Sequence, residues 1–181
     1  MSDKEEITIG HNVGPTLEGI AIEHNVGPTL EEIKNKQYFS TECDIENAKA
    51  LILPYENFRE GYDILYPENT KELLRYFESN GFKIDVPCSE NDYKEIELHD
   101  SLIDLGIFLL NSAFLPIFLN LISSFLYDKF KKKGKDPSEA EAKIVINIEE
   151  NKSKSIRFEY KGTAKGLVDS LKQIEKISKN D

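Results

Sequence analysis

The sequence predicts an α+β fold: a small antiparallel or mixed sheet of split βαβ type, with a long apolar, Pro-kinked helix and an N-terminal repeat arm. Strand-period and helix-period segments alternate from about residue 50 onward. Residues 105–126, LGIFLLNSAFLPIFLNLISSFL, hold no charged side chain, and residues 7–19 are nearly copied in residues 20–32. A chain of 181 residues suits one domain with an extra arm, or two small units. The division read here is an arm over 1–40 and an α+β body over 43–181 that contains a hydrophobic helix at 102–130.

The arm comes first. ITIGHNVGPTLEG recurs as IAIEHNVGPTLEE, and the block His11–Glu18 is identical to His24–Glu31. Each unit has a short Ile-x-Ile piece, a Gly-Pro break and then Thr-Leu-Glu. Pro15 and Pro28 bias the preceding glycines away from helix. Two copies of 13 residues are too few and too short to stack a solenoid core. The arm therefore reads as lying outside the body or draped over it. Functionally, the units read as two copies of a docking peptide for a protein partner. Leu17 and Leu30 are the apolar anchors, with Val13 and Val26 beside them. Linked copies can raise avidity by roughly 10² over a single contact. The plainer reading is a tandem duplication without function.

In the body, ALILPY at 50–55 is a short apolar strand stopped by Pro54, and residues 56–67 read as an irregular aromatic connection carrying Phe58, Tyr62 and Tyr66. TKELLRYFESNG has the strongest helical signal. Asn69 and Glu72 have capping-box spacing, Leu73, Leu74 and Phe77 share a face, and Asn80-Gly81 supplies a left-handed stop. Phe82, Ile84 and Val86 alternate as a half-buried strand, and Ile96 and Leu98 suggest another. After a linker at 134–138, Ile144, Ile146 and Ile148 face Ile156, Phe158 and Tyr160 as two strands joined by a hairpin loop at 150–154. A closing helix carries Leu167, Leu171, Ile174 and Ile177 at helical spacing.

Charge narrows the function classes. Residues 1–100 carry 9 basic against 22 acidic side chains, a net of −13, and residues 101–181 carry 14 against 11, a net of +3. The acidic half would be repelled by phosphates, so no nucleic-acid partner is expected. Cys43 and Cys88 lack CxxC spacing and read as reduced, unpaired thiols. The opening MSDKEEITIG has neither a basic nor an apolar signal region. Phosphate-cradling glycine loops are missing. His99-Asp100 has no second histidine in the body and reads as a strand end with a helix cap, while one histidine per repeat unit is thin support for a metal. No enzyme activity, cofactor or metal is expected.

The uncharged run admits three readings. It has the length of a membrane span and is followed by Tyr127, Lys131, Lys132 and Lys133, the usual interfacial anchors. Its lipid-facing candidates are Leu105, Phe108, Leu110 and Phe114, then Phe118, Leu119 and Phe125. Pro116 would kink or split a helix, leaving pieces typical of core helices or re-entrant segments. So the run reads as a kinked transmembrane helix, as a helical hairpin dipping into the cytoplasmic leaflet, or as the buried centre of a soluble domain.

From about residue 68 to 178 the order of elements resembles the effector-associated constant component domains of bacterial conflict systems. The matching stretches are TKELLRYFESNG, FKIDV, the apolar run, KFKKKGK, the hairpin IVINIEENKSKSIRFEYKG with its Tyr160-Lys161-Gly162 junction, and LVDSLKQI. That resemblance implies an accessory component in antiviral defence and carries over no catalytic residue. The resulting expectation is a non-enzymatic adaptor, membrane-associated with most of the chain in the cytoplasm, docking a protein partner that could be an effector. The alternatives are a membrane-permeabilising effector and a soluble cytoplasmic ligand- or peptide-binding domain.

Overall fold

The computed structural model describes residues 20–24, 27–97, 102–134, 136, 138–151 and 154–179. The elements run β1 (Ile20–His24), α1 (Leu30–Lys34), β2 (Ala50–Leu53), β3 (Tyr55–Arg59), β4 (Tyr62–Pro67) and α2 (Thr70–Ser79). They continue with β5 (Ile84–Asp85), β6 (Glu95–Ile96), β7 (Leu102–Asn111), α3 (Leu115–Lys133), β8 (Glu141–Asn151), β9 (Lys154–Thr163) and α4 (Ala164–Lys179). This is an α+β fold with a mixed sheet. Six strands lie in the order β1-β9-β8-β7-β2-β5, and β3-β4-β6 form a smaller sheet. The parallel pairs of the large sheet, β2–β5 and β7–β8, are direct neighbours, without an intervening strand.

The alternating isoleucines make β8 and β9 an antiparallel hairpin with Ile144 opposite Tyr160 and Ile146 opposite Phe158. These side chains, with Leu167, Leu171 and Ile174 of α4, Phe77 of α2 and one face of α3, form the main core on one side of the large sheet. On the other side Leu51, Leu53 and Leu109 are covered by Ile33, Cys43 and their neighbours from residues 30–48. The central part of the sheet is thus buried on both faces.

That double burial corrects the expected helix over 102–130. The uncharged run is two elements: β7, the central strand, and then α3. A strand covered on both faces reads as a continuous apolar run, because neither face needs polar residues. Asn111 ends the strand by accepting from the Ala113 amide at 2.9 Å, and a 3-10 turn over Ser112–Phe114 leads into the helix. Pro116 sits in the first turn of α3, where a missing amide donor costs nothing, so it starts a helix rather than kinking one. Three lysines close the helix, Lys131, Lys132 and Lys133, where cations complement the helix dipole.

Two smaller expectations also change. The connection at 56–67 is a β-hairpin, β3 with β4, irregular in register between Glu56 and Arg59. Asn69 and Glu72 do not form a capping box. Both side chains accept instead from the nearly buried Lys129 ammonium of α3, Asn69 at 2.8 Å, and the first turn of α2 is capped by Glu95 accepting from the Lys71 amide at 3.1 Å. Residues 98–101, with His99-Asp100, lie outside the described residues.

Candidate functional site: a sheet-edge seat for the repeated unit

The second copy of the repeat lies within the fold, and its path explains its composition. Ile20–His24 pairs antiparallel with β9, Ile20 opposite Tyr160 and Ile22 opposite Phe158. Ile20 and Ile22 are half-buried against the main core, and Ala21 between them is exposed, which is the Ile-x-Ile period. The chain then passes over β8. At Gly27 φ is +119°, and a Cβ there would stand 2.6 Å from the Asn147 Oδ1. Only glycine meets both conditions. Asn147 is 1% exposed. Its amide group donates to the Phe108 carbonyl at 3.1 Å, and its Oδ1 has no hydrogen-bond partner among the described residues.

Pro28 leads to Thr29, which caps α1. Its hydroxyl accepts from the Glu32 amide at 3.3 Å, while the Glu32 carboxylate accepts from the Thr29 amide at 3.0 Å. The Leu30 amide donates to the Glu149 carboxylate of β8 at 2.8 Å. Leu30 is half-buried and Ile33 is 1% exposed, both against Leu51, Leu53 and Leu109. Strand edge, glycine contact, Glu149 and the apolar pocket together form a seat that reads an extended peptide by backbone pairing at one end and side-chain burial at the other.

Of the predicted partner anchors, Leu30 is therefore engaged inside this fold. Val13, Leu17 and Val26 lie outside the described residues. Sequence reasoning missed Asn147 and Glu149. The available signal was Asn147 itself, an amide in the middle of the isoleucine alternation.

Among the side chains assigned to a membrane face, Leu105, Phe108, Leu110, Phe118, Leu119 and Phe125 are buried in the main core. In this fold they are not available to lipid. Phe114 is half-buried at the edge of that core, whereas Tyr127, Lys131, Lys132 and Lys133 are exposed. Among the described residues, one helical stretch, Ser112–Lys133, is long and apolar enough to cross a membrane.

A second polar feature sits on β7. The pairing with β8 slips between Asp104 and Ile107, where Gly106 has φ +94°. The buried Asp104 carboxylate accepts from the Gly106 amide at 2.9 Å and from the Tyr55 hydroxyl at 2.7 and 2.9 Å. Burial and the adjacent Asp104 push the Tyr55 phenol upward, so it remains a protonated donor. The Lys143 ammonium lies 5.2 Å from the centre of the Tyr55 ring. Every partner in this cluster is satisfied from within, which suits a bulge-holding role. A polar cleft of about 550 Å³ lies between the β3–β4 turn and residues 36–38, with the Lys36–Glu56 ion pair at 3.0 Å on its wall.

Both cysteines are free and buried. Burial, then Asp85 and Asp44, pushes the Cys43 thiol up to about 12, and burial raises Cys88 despite a contact from the Tyr66 hydroxyl. Thiolates are the reactive form. Neither cysteine should therefore react with a thiol-specific disulfide reagent at pH 8 in the native protein, and both should react after unfolding in urea. Rapid labelling of the native chain would show that a thiol is open to solvent.

No family model matches the chain, and the searches of curated proteins and of solved structures find no match either. Among the described residues, no group of three or more His, Cys, Asp or Glu side chains is placed to hold a metal ion.

Proposed function

We propose that this chain is a non-enzymatic binding module that seats one copy of its repeated unit in its own sheet edge and offers the other to a protein partner. The observation that carries this is the seating of Ile20–Ile33, which occupies the one matching site among the described residues, while the sequence carries a near-identical peptide at residues 7–19. Val13 and Leu17 are the anchors of the offered copy. Leu30, in contrast, is a stability residue.

The two leucines separate the roles. Leu17→Ala should leave the melting temperature unchanged and weaken capture of a partner tenfold or more, since a few buried side chains dominate peptide affinity. Leu30→Ala should lower the melting temperature. If Leu17→Ala recovers the same proteins in the same amounts as the natural chain, the docking reading fails.

A second reading, association with a membrane, is favoured by the exposed Tyr127 and the three terminal lysines of α3. In this fold such contact would be peripheral and electrostatic, and it would be released from anionic vesicles by salt. The resemblance to accessory components of bacterial antiviral systems supplies the proposed setting. A neighbouring gene for an effector would support it.

A further inference from the structure

Each contact that the seat makes with the second copy has its counterpart in the first. Ile20 and Ile22, which pack on the core from β1, correspond to Ile7 and Ile9. Gly27, where a side chain would strike Asn147, corresponds to Gly14. The capping Thr29 and the amide of Leu30 that meets Glu149 correspond to Thr16 and Leu17. Ile33, the most buried side chain of the seated segment and the residue just after the unit, corresponds to Ile20. Thr8 replaces the exposed Ala21, a neutral exchange on an open strand face.

We propose that the first copy, Ile7–Ile20, occupies this same seat in a second register of the chain, shifted by thirteen residues from the first. In that register residues 21–33 leave the seat and form an added loop before Lys34 that carries His24–Glu31. Closing a longer surface loop costs little, because the entropy grows only with the logarithm of its length. The copies are not equal. Gly10 stands where Glu23 lies in the strand, and Gly19 stands where Glu32 completes the capping box. A strand glycine and half a lost cap together disfavour the first copy by roughly 10- to 100-fold. The second copy is therefore the ground-state occupant and the first a minor one. The register decides which HNVGPTLE block is seated, and this exchange stands whether or not the other block has a partner.

Glycine substitutions test the exchange in the full chain. Gly27→Val blocks the second copy through both its φ and the Asn147 contact. Gly14→Val blocks only the first. Gly14→Val should melt like the natural chain, Gly27→Val should melt slightly lower, and the double variant should melt far below either. Should Gly27→Val and the double variant melt alike, whether both high or both low, the first copy is not a substitute and the proposal falls.

A cross-link reads the register directly. Ala21 pairs with Glu159, so Thr8 would face Glu159 in the second register. With Cys43 and Cys88 replaced by Ala, Thr8→Cys with Glu159→Cys should form an intramolecular disulfide under mild oxidation. Its yield should rise at least tenfold when Gly27→Val is added. No disulfide, or one that links only two chains, would overturn the exchange within one molecule.

Discussion

A chain that begins at Thr41 should lose on the order of 5 kcal/mol of stability and should be largely unfolded at ambient temperature. Removing residues 1–40 deletes β1 from the edge of the large sheet, along with Leu30, Ile33 and Phe39 from the cover over Leu51, Leu53 and Leu109. Burial of each such apolar side chain contributes about 1.5–3 kcal/mol. The total approaches the 5–15 kcal/mol that holds a typical domain together. A chain that begins at Gly19 keeps the whole seated copy and should match the full chain in urea titration. The comparison is decisive because reading 1–40 as a dispensable arm gives the opposite expectation. A Thr41 chain that melts within a few degrees of the full one would show that the seat contributes nothing to the body.

The two halves of the sequence were legible to different degrees, for physical reasons. The β8–β9 hairpin was plain because one face of each strand is polar, so isoleucines and charges alternate with period two. Helix α2 was plain for the same reason at helical period. Strand β7 was hidden because it is covered on both sides: Phe108 and Leu110 face the main core while Leu109 faces the second cluster, so from Leu105 to Leu110 no polar position betrays its period. The readable hints were local ones: β-branched Ile103 and Ile107, Gly106 at the bulge, and Asn111-Ser112 ahead of Pro116 as a strand stop and helix start. The seat was half legible. The leucine anchors and the Gly-Pro break stand out in the repeat itself. Asn147 and Glu149 lie well over a hundred residues further along the chain, and only the pairing of β1 with β9 brings them near the second copy. Local propensity was misleading there as well: the Asn69–Glu72 pair has capping spacing, yet the buried Lys129 ammonium claims both side chains.

Phe118→Ala should destabilise the protein by about 3–5 kcal/mol, the usual cost of truncating a fully buried phenylalanine. Phe118 is fully buried on α3, with its ring centre 4.9 Å from Phe108, 5.5 Å from Phe77 and 6.2 Å from Phe82. Four rings from α2, α3, β7 and the connection just before β5 therefore meet at one point, and truncation would leave a cavity that the rigid neighbours cannot close. In urea titration of the detergent-free chain the midpoint should fall by most of its value. Tyr127→Ala on the exposed side of the same helix should change stability by less than about 0.5 kcal/mol. This contrast separates the two roles that an apolar helix can have. If α3 faces lipid and leaves the core unaided, Phe118→Ala should be nearly silent in solution and should instead reduce sedimentation with vesicles. A large loss at Phe118 with none at Tyr127 places the apolar face of α3 in the service of the sheet, and leaves any membrane contact to the tyrosine and lysines at its end.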